Sequence, residues 1–433
     1  MSKIIIFTYD VQIDRRELLQ CKTLLAHGHE VTLYAAPSAN DSADPAYVKR
    51  LDKLVPSKAP VDAALSAALK SPKTLYQYAL DLKRWLSARY PETLQWLLPV
   101  ARTMFWRGYV MLQNKQENAF LGMFRNVLAM DLKADLFIAH DLPMLPVAVE
   151  AKRRYGGRIL YDSHELFAGQ DLTIQESRIW RNLEQRYIGT ADAVVTVNPS
   201  IARELEKRYG LGQVEVIHNA EWVSEGDPVR GRRFHTLLSL SPAARVVLYQ
   251  GRLSFGRNLE TLVRAMVHVA DPSIHLVFLG DGPVRDRLLG EISRLGLESR
   301  VHVLKAVPQE VLLEYTASAD LGVIPYQNTC LNHYYCTPNK LFEFIAAGLP
   351  IIATDLPEIA RIIGDHQIGL VGDTGNPESL AGMITKAMTP ELLAQFRAQQ
   401  LVARTIINWQ QEGERFAAIV ARVLASDEKK IAA

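Results

Sequence analysis

The sequence predicts two doubly wound α/β domains facing a cleft, and three observations carry that expectation. The chain has 433 residues, more than one hydrophobic core comfortably serves, so it should divide in two. It opens on a strand-helix-strand unit of the kind that starts a parallel sheet. Its second half runs short apolar stretches into glycine-bearing turns and then into helices.

Taken in order, Ile4 to Thr8 is an apolar run that reads as a first strand, and Glu17 to Ala26 reads as a helix with Leu18, Leu19, Cys21, Leu24 and Leu25 inward. Gly28 ends that helix before a strand over Glu30 to Ala35. From 47 to about 130 the character changes to long helical stretches. Residues 47–125 hold 13 Lys or Arg against 5 Asp or Glu. Leu75, Tyr78, Leu82, Trp85 and Leu86 recur there at helical spacing, and Trp96, Phe105 and Trp106 follow. A basic, Trp-bearing amphipathic stretch suits an anionic membrane surface through 70–125, and a packed helical insertion is the other reading.

Strands are expected at Asp135 to Ala139, Arg158 to Tyr161, Ala191 to Val197 and Val214 to Ile217, with a helix over Pro199 to Tyr209. The charged, Gly- and Pro-bearing stretch 221–233 is the expected linker. This gives an N-terminal domain over 1–220, a C-terminal domain over 234–405 and a last helical segment over 406–433. Within the second domain, strands are expected at Arg245 to Tyr249, Ile274 to Leu279, Val301 to Leu304, Asp320 to Pro325 and Leu349 to Ala353, with a helix over Leu259 to Val269.

Bulk composition removes several function classes. With 49 basic and 47 acidic residues the net charge is only +2, which argues against a protein that coats nucleic acid. Cys21, Cys330 and Cys336 do not make a disulfide framework and fit a reducing compartment. Cys330 and Cys336 flank His333 without the second pair that a zinc site wants. No apolar run reaches the roughly 18 residues a membrane span needs, and the first residues are too short for a signal peptide. A cytoplasmic protein, peripheral at the inner membrane's cytoplasmic face, is the expectation.

The densest chemistry lies in Thr337-Pro338-Asn339-Lys340-Leu341-Phe342-Glu343. Thr337 suits a helix N-cap, Pro338 the first helical position and Gly348 the left-handed position that closes the helix. Lys340 and Glu343 are three apart, on one face near a helix N-terminus, where amides and dipole favour anions. Such a place suits a nucleoside diphosphate, with phosphates at the amides and Lys340 and ribose hydroxyls at Glu343. An exposed ion pair is the bland alternative. Gly251 and Arg252 follow a strand, and Arg257 comes five residues later. Glycine lets the backbone approach a phosphate, and two guanidiniums can grip a diphosphate. His140-Asp141 ends a strand, as does Asp162-Ser163-His164-Glu165, and ligands of open α/β sheets sit outside strand ends. The loop 9–16 carries Arg15 and Arg16 but no glycine, so these arginines are either ligand contacts or solvated.

The pattern Pro-x-Lys-x-x-Glu, an apolar turn, Ala-Gly-x-Pro and an apolar strand resembles the donor segment of retaining glycosyltransferases of family 4, which have the GT-B fold. The resemblance implies that Glu343 holds the donor ribose. It gives Gly251, Gly280, Asn339, Lys340 and Leu341 to the donor nucleotide as well. Arg252 matches the family's Arg and Arg257 replaces its Lys, both on the leaving diphosphate. His140 falls beside the transferred sugar, and Asp141, His164, Glu165 and Arg15 on the acceptor side. Trp409 with Glu412 resembles the final helix that crosses back onto the first domain. Two departures stand out. Tyr335 occupies the place of the first of two family glutamates, and no Gly-rich loop follows the first strand.

With no Asp-x-Asp pair, the implied reaction is a retaining, metal-independent transfer without cofactor. A sugar moves from a nucleoside diphosphate sugar, a UDP-sugar first, to a saccharide or lipid-linked saccharide in polysaccharide or glycolipid biosynthesis. The alternatives are a nucleotide-sugar 2-epimerase of the same fold and a noncatalytic nucleotide-sugar-binding subunit of a polysaccharide assembly complex.

Overall fold

The computed structural model describes residues 1–37, 44–51, 120–226, 228 and 230–426. The amphipathic stretch 70–125 invoked for membrane contact lies outside them except for its last residues. In chain order the elements begin β1 (Lys3–Thr8), α1 (Arg15–Ala26), β2 (Glu30–Ala35), β3 (Val48–Arg50), β4 (Leu136–His140) and α2 (Asp141–Tyr155). There follow β5 (Arg158–Ser163), α3 (Ile174–Tyr187), β6 (Ala193–Thr196), α4 (Pro199–Tyr209) and β7 (Glu215–Val216). The second half holds β8 (Arg245–Gln250), α5 (Leu259–His268), β9 (Ile274–Leu279), α6 (Arg285–Arg294), β10 (Val301–Leu304), α7 (Gln309–Thr316) and β11 (Leu321–Ile324). It ends with α8 (Asn339–Ala346), β12 (Ile351–Thr354), α9 (Pro357–His366), β13 (Gly369–Gly372), α10 (Pro377–Ala387), α11 (Pro390–Ile406) and α12 (Trp409–Ala425). The strand pairings recorded among the described residues are parallel, as near-continuous apolar runs joined by helices require.

The chain divides into two compact units, one of residues 2–13 and 30–159 and the other of Met1, 14–29 and 160–433. In the first, the strand order is β3-β2-β1-β4, with Ile4 opposite both Val31 and Leu136. Its aromatic centre is Phe7, which stacks between Tyr34 and Phe137 and meets Phe124 edge-on, with ring centroids 5.7 to 6.2 Å apart. Such pairs add to simple burial.

The second unit carries β5-β6-β7 and a six-stranded sheet in the order β10-β9-β8-β11-β12-β13. Val246, Leu248, Leu276, Phe278, Leu321, Val323 and Ile352 fill its core. In the same unit α12 packs on α1. The fully buried Trp409 donates from Nε1 to Thr23 Oγ1 at 3.0 Å. Asn408 caps α12 by accepting from the Gln411 amide at 3.0 Å.

Two expectations about α1 need correction. The helix begins at Arg15, with Asp14 as N-cap, because the Asp14 carboxylate accepts from the Arg16 amide at 2.7 Å. Arg15 and Arg16 are therefore first-turn residues and not loop residues. Leu25, expected inward, is exposed, while Leu19, Cys21 and Leu24 are buried. The buried stripe also takes in Arg16, Glu17 and Gln20, and it leaves Leu25 outside.

Candidate functional site

In the six-stranded sheet the direction of strand addition reverses between β8 and β11. At such a reversal the connections on the two sides diverge and leave a crevice at the carboxyl ends of the strands. Gln250 ends β8, Tyr326 follows β11, and the first turn of α8 comes to the same place. The sequence stretch singled out for anion chemistry is thus delivered to the crevice by topology.

Lys340 is 5 % exposed. Its Nζ lies 3.7 Å from the Tyr249 ring centroid and 5.0 Å from that of Tyr326, and it has no hydrogen-bond acceptor among the described residues. Burial first, then the neighbouring Arg257 guanidinium, pushes the amine well below the usual lysine range. Arg257 itself sits 3.8 Å over the Tyr326 ring. Two basic side chains are held here on aromatic faces, and the Lys340 amine is left without an acceptor among the described residues. The exposed Lys340–Glu343 ion pair weighed from the sequence is not formed. Both residues are buried, and Glu343 has other partners.

The two turns beneath this pair lie backbone to backbone. Gly251 has φ +107°, and its amide donates to Leu279 O at 3.0 Å, while Leu253 N donates to Asp281 O at 2.9 Å. A Cβ on Gly280 would lie 1.9 Å from Gly251 O. Gly280 is there because nothing larger fits, a packing reason for a residue the resemblance gives to the nucleotide. Arg252 is exposed, and its carbonyl accepts from the Tyr249 hydroxyl at 3.0 Å. The hydroxyl thereby fixes the ring on which Lys340 rests.

At the start of α8 the cap differs from expectation. Pro338 is the N-cap, with extended φ and ψ, and no side chain caps the helix. Thr337 instead accepts from Asn198 Nδ2 at 3.2 Å, and the same amide nitrogen donates to Tyr335 O at 2.8 Å. Proline has no side-chain acceptor, so amides of the first turn remain uncapped at this end. Gly348 closes the helix at φ +66° as expected.

Glu343 is buried, and both its oxygens are engaged. Gln250 donates from Nε2 to Oε2, and Arg15 Nη1 approaches Oε1 at 3.4 Å. Gln250 is in turn oriented by Thr316, whose hydroxyl donates to Gln250 Oε1 at 2.8 Å. The same Arg15 nitrogen pairs with Glu221. One residue along, Arg16 grips Asp162 with two parallel bonds of 2.9 and 3.0 Å and donates to Ile217 O at 2.6 Å and Asn219 Oδ1 at 2.9 Å. Gln20 adds a 2.6 Å bond to Asp162. Asn219 then donates to Asn339 Oδ1 at 3.1 Å, at the first residue of α8. Neither arginine is the solvated side chain weighed from the sequence.

His164 lies 3.6 Å from Asp162. Glu165 accepts from Asn332 at 2.8 Å and from Gln170. Burial is the main influence on its carboxyl and pushes it up. In the other unit, His140 ends β4 fully buried, and Asp141 begins α2 with φ +59°. A non-glycine residue held in that region is the kind of local strain found at sites of function. Sequence reasoning missed Gln250, Glu221, Asn219, Tyr249 and Tyr326. No motif marks them, although Gln250 does stand at the strand end preceding Gly251-Arg252.

The family model for Glycosyl transferases group 1 matches residues 239–400, and that for a Glycosyl transferase 4-like domain matches residues 15–220. The chain belongs to the group 1 glycosyl transferases. It is 26% identical over 215 residues to an uncharacterized glycosyltransferase of Methanocaldococcus jannaschii, covering 47% of this chain and 53% of that one. It is 26% identical over 208 residues to the lipopolysaccharide core biosynthesis glycosyltransferase LpsE of Rhizobium meliloti, covering 48% and 57%. The chain thus spans about half the length of the curated relatives it matches. Among solved structures, Anabaena HepE in complex with UDP and glucose has TM-score 0.66 at 16% identity, covering 97% of this chain and 100% of that one. At that identity the likeness shows the fold, which is the GT-B fold implied by the donor-segment resemblance.

Proposed function

We propose that this group 1 glycosyl transferase moves a sugar from a nucleoside diphosphate sugar, a UDP-sugar first, to a saccharide or lipid-linked saccharide acceptor in polysaccharide or glycolipid biosynthesis, with retention and without a metal. The observation that carries the reading is Lys340: a buried amine with no acceptor among the described residues, beside Arg257 and the uncapped end of α8. An anion arriving there supplies the acceptor and restores the ammonium form. The pyrophosphate of the donor has the right charge and size to meet both cations.

In this reading Lys340, Arg252 and Arg257 neutralise the charge that grows on the diphosphate as the anomeric carbon–oxygen bond breaks. Glu343 accepts from the ribose hydroxyls. The acceptor oxygen bonds to the anomeric carbon on the same face, and its proton passes to the departing phosphate oxygen. Family resemblance gives His140 the transferred sugar and Asp141, His164 and Glu165 the acceptor. UDP is favoured because HepE is in complex with UDP and glucose, and an envelope saccharide because LpsE serves lipopolysaccharide core biosynthesis. Among the described residues no helix is long and apolar enough to cross a membrane. The basic excess over 47–125 supports a peripheral contact with anionic lipid at the cytoplasmic face, which vesicle flotation tests.

The deciding experiment is thermal denaturation with UDP, GDP, ADP, CMP and dTDP, each with and without EDTA, followed by transfer assays with the matching sugar nucleotides. A ligand at about 100 times its dissociation constant stabilises by about 2.7 kcal/mol. A shift with one diphosphate, unchanged by EDTA, supports the reading. Absence of any shift, or its loss in EDTA, overturns the nucleotide or the metal-free part respectively.

A further inference from the structure

Glu221 lies just past β7 and carries no motif, yet it is 4 % exposed and shares Arg15 Nη1 with Glu343. Its carbonyl is anchored by the Trp409 amide at 2.7 Å. Resting on the reading of Glu343 as the ribose ligand, we propose that Glu221 is a positioning residue: by drawing the Arg15 guanidinium toward itself, it keeps the Glu343 carboxylate open to a ribose diol.

The argument is one of lone pairs and charge. Each carboxylate oxygen offers two acceptor directions. Gln250 takes one on Glu343 Oε2, and Arg15, at 3.4 Å, only grazes Oε1. A shared guanidinium therefore leaves acceptor capacity on both oxygens. Once Glu221 is neutral, Arg15 has one carboxylate left to pair with, closes on Glu343 and competes with the diol. The groups that bear on Glu221 are Arg15 and Asp14 at the start of α1 and Glu343 on α8. Burial, opposed by Arg15 and reinforced by Glu343 and Asp14, pushes its carboxyl up to about 7. The switch between the two arrangements then falls near neutral pH.

The test is calorimetric titration of UDP and of inorganic pyrophosphate, which has no ribose, into the wild-type chain, Glu221→Gln and Arg15→Met, from about pH 5.5 to about pH 8.5. In the wild type, UDP binding should tighten about tenfold through neutrality, beyond any change seen with pyrophosphate. In Glu221→Gln it should be about tenfold weaker above neutrality and flat with pH. Arg15→Met should abolish the extra pH dependence without weakening pyrophosphate, and it decides the matter should the glutamine variant not fold. UDP binding in Glu221→Gln with the wild-type profile, or an equal loss of pyrophosphate, overturns the inference alone. Failure of the wild type to bind UDP overturns the donor reading with it.

Discussion

Arg15 and Arg16 are neighbours in the first turn of α1, and they enter opposite kinds of polar surroundings. Arg16 makes four hydrogen bonds, two of them to one carboxylate, and neither its side chain nor that of Asp162 is more than 1 % exposed. Four of its five N–H donors are taken within the protein. Arg15 divides one nitrogen between two carboxylates, in a neighbourhood that also contains the unaccepted amine of Lys340. A buried polar cluster whose valences are full serves the fold, because each group's desolvation is already offset. A buried polar group with valences to spare calls for an explanation, and a ligand that completes it is one. The difference separates scaffold from site within a single helical turn.

The largest test of that contrast is Arg16→Ala. It strands the Asp162 carboxylate in the interior, so urea denaturation should show a loss of about 3 to 5 kcal/mol; a loss below about 1 kcal/mol would erase the distinction.

Next comes the pH dependence of Glu221. Its folded carboxyl titrates at about 7 against the ordinary 4.5, so between those values the folded state holds a proton the unfolded state has released. Stability present below the lower value is lost as pH rises through the upper one, by on the order of 3 kcal/mol. The Glu221→Gln variant should lack that slope in denaturation profiles collected across the window.

Lys340→Met should do the reverse of Arg16→Ala. No hydrogen bond is lost with the amine, so stability should stay within about 1 kcal/mol, while UDP affinity falls by about 1.5 to 3 kcal/mol. Calorimetry and a melting curve read the two effects separately. The smallest effect belongs to Asp14→Ala, which removes the cap that both arginines depend on and should cost about 1 kcal/mol. If nucleotide affinity fell further than stability in that variant, the cap would belong to the site as well as the helix.

The strands were legible because buried parallel strands are apolar runs. Ile274–Leu279 and Val301–Leu304 fall where the sequence puts them, as does the helix Pro199–Tyr209. The interest of Lys340 and Glu343 was legible from their spacing. What surrounds them was not. Arg16 meets a carboxylate 146 positions away and Arg15 one 328 positions away, and no local pattern encodes such pairings. Thr337 misled for a related reason. Its hydroxyl is a good cap in isolation, but Asn198, from the far side of the chain, claims it.

The contact between Gly251 and Gly280 bears on how this protein can change over generations. A methyl group at position 280 would strike the backbone carbonyl of residue 251, and every residue type carries that carbonyl, so no replacement at 251 makes room for a side chain at 280. A glycine kept at 280 while the residues around both turns vary is the historical signature this geometry would leave among descendants.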